Sequence, residues 1–160
     1  MGSERAAALA NDFAAANEEA LHFAGSCSDA EWARHVPGEG WTVGVVLHHI
    51  AEVHALMLRW LCGMASGEGV PESAEDIDRA NAEHAGRAES VGQVETAILL
   101  ANNGALIEQV LRTLSDDDLD HTAPFGPAGG RTMAMHDLAA VPARHVRDHL
   151  DRARGAIARS

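Results

Sequence analysis

The sequence predicts an all-α fold, a four-helix bundle with a long connection between its second and third helices. Three observations carry that reading. Four long segments repeat apolar residues at helical spacing, no run of β-branched residues alternates as a strand would, and segment boundaries carry helix-capping chemistry. At 160 residues the chain reads as one domain, 1–160, large enough to bury a core without disulfides or a structural metal.

The first helix, residues 4–24, lines up Leu9, Phe13, Ala16, Ala20 and Phe23 and sets Asn11, Glu18 and Glu19 elsewhere. Ser28-Asp-Ala-Glu31 has the spacing at which a cap hydroxyl and a carboxylate three residues on satisfy each other's free amides, so a short helix is expected at 29–35. Pro37-Gly38-Glu39-Gly40 then breaks the chain. The second long helix, 42–64, takes Thr42 as N-cap, with Trp41 and Val46 at the spacing of a hydrophobic staple, and is ended by Gly67, Gly69 and Pro71. Residues 73–89 are polar and read as a long crossover containing some helix, capped at Ser73-Ala-Glu-Asp76; a connection of that length lets the helices it joins run parallel. The third helix, 91–114, begins at Ser90-Val-Gly-Gln93 and is expected to bury Val94, Ile98, Leu99, Ala105, Leu106, Val110 and Leu114. Ser115 with Asp116, Asp117 and Asp118 starts a short helical turn, and 121–131 is loop by composition. The last helix, 132–157, should be kinked by Pro142, whose ring nitrogen has no proton for the helical ladder.

Composition excludes several functions. A formal charge of −12, with the 12 basic residues gathered nowhere, is the opposite of what phosphate neutralisation requires, so no nucleic-acid partner is expected. Cys27 and Cys62 form neither a C-x-x-C pair nor a disulfide framework, which fits a reducing cytoplasm. No stretch reaches roughly 18 uninterrupted apolar residues, and the N-terminus lacks a basic flank with an apolar run, so neither a membrane partner nor export is expected. The patterns of nucleotide loops, H-E-x-x-H zinc helices and G-x-S-x-G elbows are absent.

The chemistry concentrates in histidines. His145 and His149, four residues apart on a helix, point the same way and share the small apolar line of Leu138, Pro142, Ala153 and Ala156. Arg144, Asp148 and Arg152 supply i, i+4 ion pairs on another side, so the polar face is accounted for without them. In the second helix His49 shares a direction with Val46, Val53 and Trp60, whereas His48 lies with Gly44, Glu52, Ala55 and Arg59. His54 falls on the most apolar strip, with Leu47, Ile50, Met57 and Leu61, and reads as a core residue or a support to the site. Imidazoles on a core-facing stripe need partners for their nitrogens. A shared metal supplies one, and ordinary hydrogen bonding within the core is the alternative. A bundle that sets the second helix against the fourth would add His49 to the pair; three neutral imidazoles suit zinc, nickel, copper or iron and leave a position for water or substrate. His84, His121 and His136 lie in polar or loop contexts and read as solvated.

The segment Trp41-Thr-Val-Gly-Val-Val-Leu-His-His49-Ile-Ala, taken with His145-Val-Arg-Asp-His149, resembles the DinB/YfiT-like superfamily, bacterial four-helix bundles with a three-histidine metal site. The resemblance implies that His49, His145 and His149 bind a divalent ion, with zinc or nickel expected, in a metal-dependent enzyme. Relatives include thiol S-transferases, hydrolases and a mycothiol-dependent maleylpyruvate isomerase. The isomerases carry glutamate where this chain has His145, together with an additional C-terminal domain. That departure favours transfer of a low-molecular-weight thiol of the mycothiol or bacillithiol type, as cosubstrate, to a small electrophile. A hydrolase is the alternative, and a non-enzymatic bundle binding metal or a small ligand is a third. Glu52, Asp148 and His54 are candidates to support the metal site, and Arg131, beside Gly129 and Gly130, to meet an anionic substrate at the cavity mouth. No sequence feature decides between a monomer and a homodimer.

Overall fold

The computed structural model describes residues 2–88 and 90–158. Its helices are α1 (Glu4–Ser26), α2 (Asp29–Trp32), α3 (Val43–Ser66), α4 (Ala74–Arg87), α5 (Gln93–Thr113), α6 (Asp116–Asp120), α7 (Met135–Ala139) and α8 (Val141–Ala158). A two-stranded antiparallel hairpin, β1 (Thr122–Phe125) with β2 (Arg131–Ala134), stands between α6 and α7. The bundle is α1, α3, α5 and α8. α1 packs on α5, α5 on α3, α3 on α8 and α8 on α1, so α1 and α3 lie across a diagonal.

Local chemistry sets the boundaries. Ser28, Ser73 and Ser115 each accept from the amide three residues on while Glu31, Asp76 and Asp118 return the bond, so three capping boxes start α2, α4 and α6. Thr42 caps α3 through Val45 N, and Gly67, at φ 82°, closes it in the left-handed conformation that side chains disfavour. By length and composition α3 could cross a bilayer, yet Leu47, Ile50, Ala51, Met57 and Leu61 are buried within the bundle.

Three expectations are corrected. The core face of α5 is Thr96, Leu100, Gly104, Ile107 and Leu111, whereas Val94, Ile98 and Leu106 are 74%, 54% and 47% exposed. Two apolar stripes compete on this helix, and close approach to α1 selects between them. A Cβ on Gly104 would lie 2.2 Å from Asn17 Nδ2, and that amide donates to Leu100 O at 3.2 Å. Next, 121–131 is mostly the hairpin; its strands are four residues each, with a proline inside the first, too short for an alternating pattern to register. Finally, Pro142 starts a helix where a kink was expected. The last segment divides into β2, α7 and α8, with the proline at the second position of α8, where its missing N–H removes no helical bond.

The polar crossover is ordered as α4, a four-turn helix. It lies against α3 and forms one wall of the main cavity.

Candidate metal centre

α3 buries His49, and α8 presents His145 and His149 one turn apart. One nitrogen from each of the three imidazoles lies within 4.8 Å of the other two. Their ring centroids are 5.2 Å apart for His49 and His145, 4.9 Å for His49 and His149, and 4.6 Å for His145 and His149.

All three imidazoles are held neutral. Burial, reinforced by His149, His84 and His48, pushes His49 down to about 3. Burial likewise carries His145 well below the ordinary histidine value, with His149 and His49 adding to it. His149 is lowered by burial against the opposing pull of Glu39. Neutral imidazole is the form that donates a lone pair to a metal. Nδ1 of His145 and Nδ1 of His149 are both buried without a hydrogen-bond partner. Buried polar atoms are ordinarily paired; Nδ1 of His149 faces Glu39 and leaves its other nitrogen for a cation, and Nδ1 of His145 has no protein partner among the described residues.

Glu39 is the residue that sequence reasoning missed. Its Oε1 stands 3.6 Å from His149 Nδ1 and accepts from Arg152 Nη1 at 2.7 Å, while Oε2 is buried without a partner. Arg152 is thus engaged by Glu39 and not in the direct ion pair with Asp148 that helical spacing suggested. Gly38 and Gly40, at φ 84° and 71°, bend the loop on either side of Glu39. The glycines signalled only a chain break, and nothing local ties the carboxylate to a histidine more than a hundred residues away.

The three histidines line a cavity of about 480 Å³. Val53, Leu56, Met57 and Trp60 of α3, Ile77 of α4 and Val141 give it apolar walls; Glu52, Arg59, His84 and Arg87 supply polar groups. Trp41, just before α3, sets its ring 5.0 Å from His49.

The other candidates scatter. His54 is fully buried, edge-on to Phe13 at 5.3 Å, with neither ring nitrogen paired; burial pushes it down to about 4. Glu52 stands in the cavity wall, 3.3 Å from Arg87 Nη2 and 3.8 Å from His84 Nε2. Asp148 is exposed on α8. Arg131 is exposed on β2, donates Nε to Ala128 O at 3.1 Å and does not line the cavity; the arginines that do are Arg59 and Arg87. His84, expected in solvent, is 3% exposed, because the crossover folds as a helix and turns it onto α3.

The fold is shared with known proteins. The structure superposes on YfiT from Bacillus subtilis, described as a probable metal-dependent hydrolase with an unusual four-helix bundle topology, with a TM-score of 0.79 and 16% identity over 99% of this chain and 89% of that one. It also matches the mycothiol-dependent maleylpyruvate isomerase, with a TM-score of 0.71 and 18% identity; 90% of this chain is covered and 58% of the isomerase. No curated protein matches the sequence. The family model of the DinB superfamily matches residues 12–152, nearly the whole bundle and all three histidines, and the chain belongs to that superfamily.

Proposed function

We propose that this protein is a metal-dependent enzyme in which His49, His145 and His149 hold a divalent ion, zinc or nickel as the family resemblance implies, and that it transfers a low-molecular-weight thiol to a small electrophile. The observation that carries the reading is the convergence of three neutral imidazoles, one buried and two half-buried, on the wall of one cavity. When bound, the ion supplies Lewis acidity that favours the thiolate, or hydroxide, at neutral pH.

The protein's own groups do the rest. Glu39, fixed by Arg152, faces His149 Nδ1 and orients that ring. Trp41 packs beside His49, and the apolar side chains of α3 and α4 keep water from the reacting atoms. Arg59 and Arg87 line the cavity and suit a substrate or thiol carrying carboxylates.

Two measurements test this. On tag-free protein, His49→Ala and His145→Ala should each lower metal content by about one ion per chain in elemental mass spectrometry, with the fold retained by circular dichroism. With a chloro- or epoxide-type electrophile, turnover should require added mycothiol or bacillithiol. Turnover in buffer alone would replace the transferase with a hydrolase, the activity ascribed to YfiT. Unchanged metal content in both variants would remove the site.

A further inference from the structure

Next to the three-histidine cluster stands a second group with ligand geometry. His48 and Glu52, four residues apart on α3, share one helical face, and α4 brings His84 onto them. His48 Nδ1 lies 2.9 Å from His84 Nε2, and Glu52 Oε2 lies 3.8 Å from the same nitrogen. All three ligand atoms fall within 4.8 Å of one another. Ligands about 2.1 Å from one ion stand about 3.0 Å apart in octahedral and about 3.4 Å apart in tetrahedral geometry, and the His48–His84 and Glu52–His84 separations of 2.9 and 3.8 Å fall on either side of those values.

We propose that His48, Glu52 and His84 form a second divalent-metal site, of the two-histidine, one-carboxylate kind that suits zinc and ferrous iron. Without metal, His48 Nδ1 and His84 Nε2 share one hydrogen bond; a bound ion replaces that shared proton, with the ring protons then on His48 Nε2 and His84 Nδ1. The site opens into a separate pocket of about 360 Å³ whose lining is chiefly polar, bounded by His48, Glu52, His84, Arg87, Val91 and Glu95. That provides room and donors for water on the open positions. Arg87, which now pairs with Glu52, has a side chain 61% exposed and can swing into solvent when a cation takes the carboxylate. Its charge makes this the weaker of the two sites. Glu52 and His84 also line the main cavity, and the rings of His84 and His49 are 5.4 Å apart, so both ions would border the same substrate space.

The proposal stands apart from the three-histidine reading, and zinc counting separates them. Metal-free protein is equilibrated with excess zinc, freed of unbound ion by gel filtration in buffered zinc, and assayed by elemental mass spectrometry. The parent should hold about two zinc ions per chain, Glu52→Gln and His84→Ala about one each, His145→Ala about one, and the His84→Ala, His145→Ala double variant almost none. Glu52 has a side chain 40% exposed, so Glu52→Gln tests the site even where loss of the buried His84 compromises folding. A parent count unchanged by Glu52→Gln and by folded His84→Ala would overturn the proposal. A loss in Glu52→Gln with none in His145→Ala would instead sink the three-histidine site and leave this one standing.

Discussion

His48 and His49 are neighbours in sequence, yet they belong to different clusters, and the contrast shows what a helix does to chemistry. One residue is about 100° of rotation on α3. His49 is carried inward, onto two histidines of α8, where burial removes its charge and water has little access. His48 is carried toward α4, where it is half-buried beside a buried histidine, a partly exposed carboxylate and an exposed arginine. The first environment selects neutral nitrogen donors. The second mixes charges and admits solvent. Affinity and exchange should therefore differ between the clusters although both present three donors.

Chelation should break the comparison most strongly. An ion on His49, His145 and His149 ties α3 to α8, and at a thousandfold excess over Kd it stabilises the fold by about 4 kcal/mol. For a chain of this size that corresponds to a melting temperature about ten degrees higher with zinc than with chelator. His145→Ala should lose most of that difference in calorimetry and Glu52→Gln little of it.

His54 offers a third environment on the same helix, buried but with no hydrogen-bond partner among the described residues. Its native value of about 4 lies below the ordinary 6.5, so the unfolded chain binds the extra proton first and stability falls as pH drops from about 6.5 toward 4. The loss from this group is of order 3 kcal/mol. Urea melts at pH 7 and pH 4.5 should show a steeper decline for the parent than for His54→Leu; parallel declines would mean that His54 is paired in solution.

Glu39 and Glu52 are the carboxylates beside the two clusters, and exchanging each for glutamine sharpens the contrast. Glu39 orients a ligand from behind, so Glu39→Gln should weaken zinc at the three-histidine site by about 10–100-fold without abolishing it. Isothermal titration would register this as a change in affinity at constant stoichiometry, whereas Glu52→Gln should remove a whole equivalent. Arg87→Ala gives the smallest effect. The exposed pair with Glu52 contributes no more than about 0.5 kcal/mol, so thermal stability should barely move. Zinc at the second site should nevertheless tighten, because a competing cation is gone.

Much of this was legible in the sequence where the signal is local. The S-x-x-[DE] boxes at Ser28, Ser73 and Ser115, the Thr42 cap and the Gly67 stop all describe atoms within a few residues of one another, and each forms as its spacing requires. Helical phase also separated His49 from His48, and the family resemblance put it with His145 and His149. Phase failed on α5, where Val94, Ile98 and Leu106 offered as good a stripe as Leu100, Ile107 and Leu111. Arg131 failed for another reason: two glycines beside an arginine suggested an anion site, but the hairpin that holds it lies outside the cavity lining.

By itself, then, the sequence determined the bundle, the caps at Ser28, Thr42, Ser73 and Ser115, and the inward face of α3 and α8, because these follow from periodicities of 3.6 residues and hydrogen bonds of short range. Tertiary structure alone decided which face of α5 is core, that Glu39 would stand behind His149, and that α4 would bring His84 and Glu52 to the cavity wall. Those outcomes depend on contacts between residues 32 to more than 100 positions apart, such as Gly104 against Asn17, Glu39 beside His149 and His84 on Glu52. The energy of such contacts resides in interhelical packing and charge proximity, which no local pattern encodes.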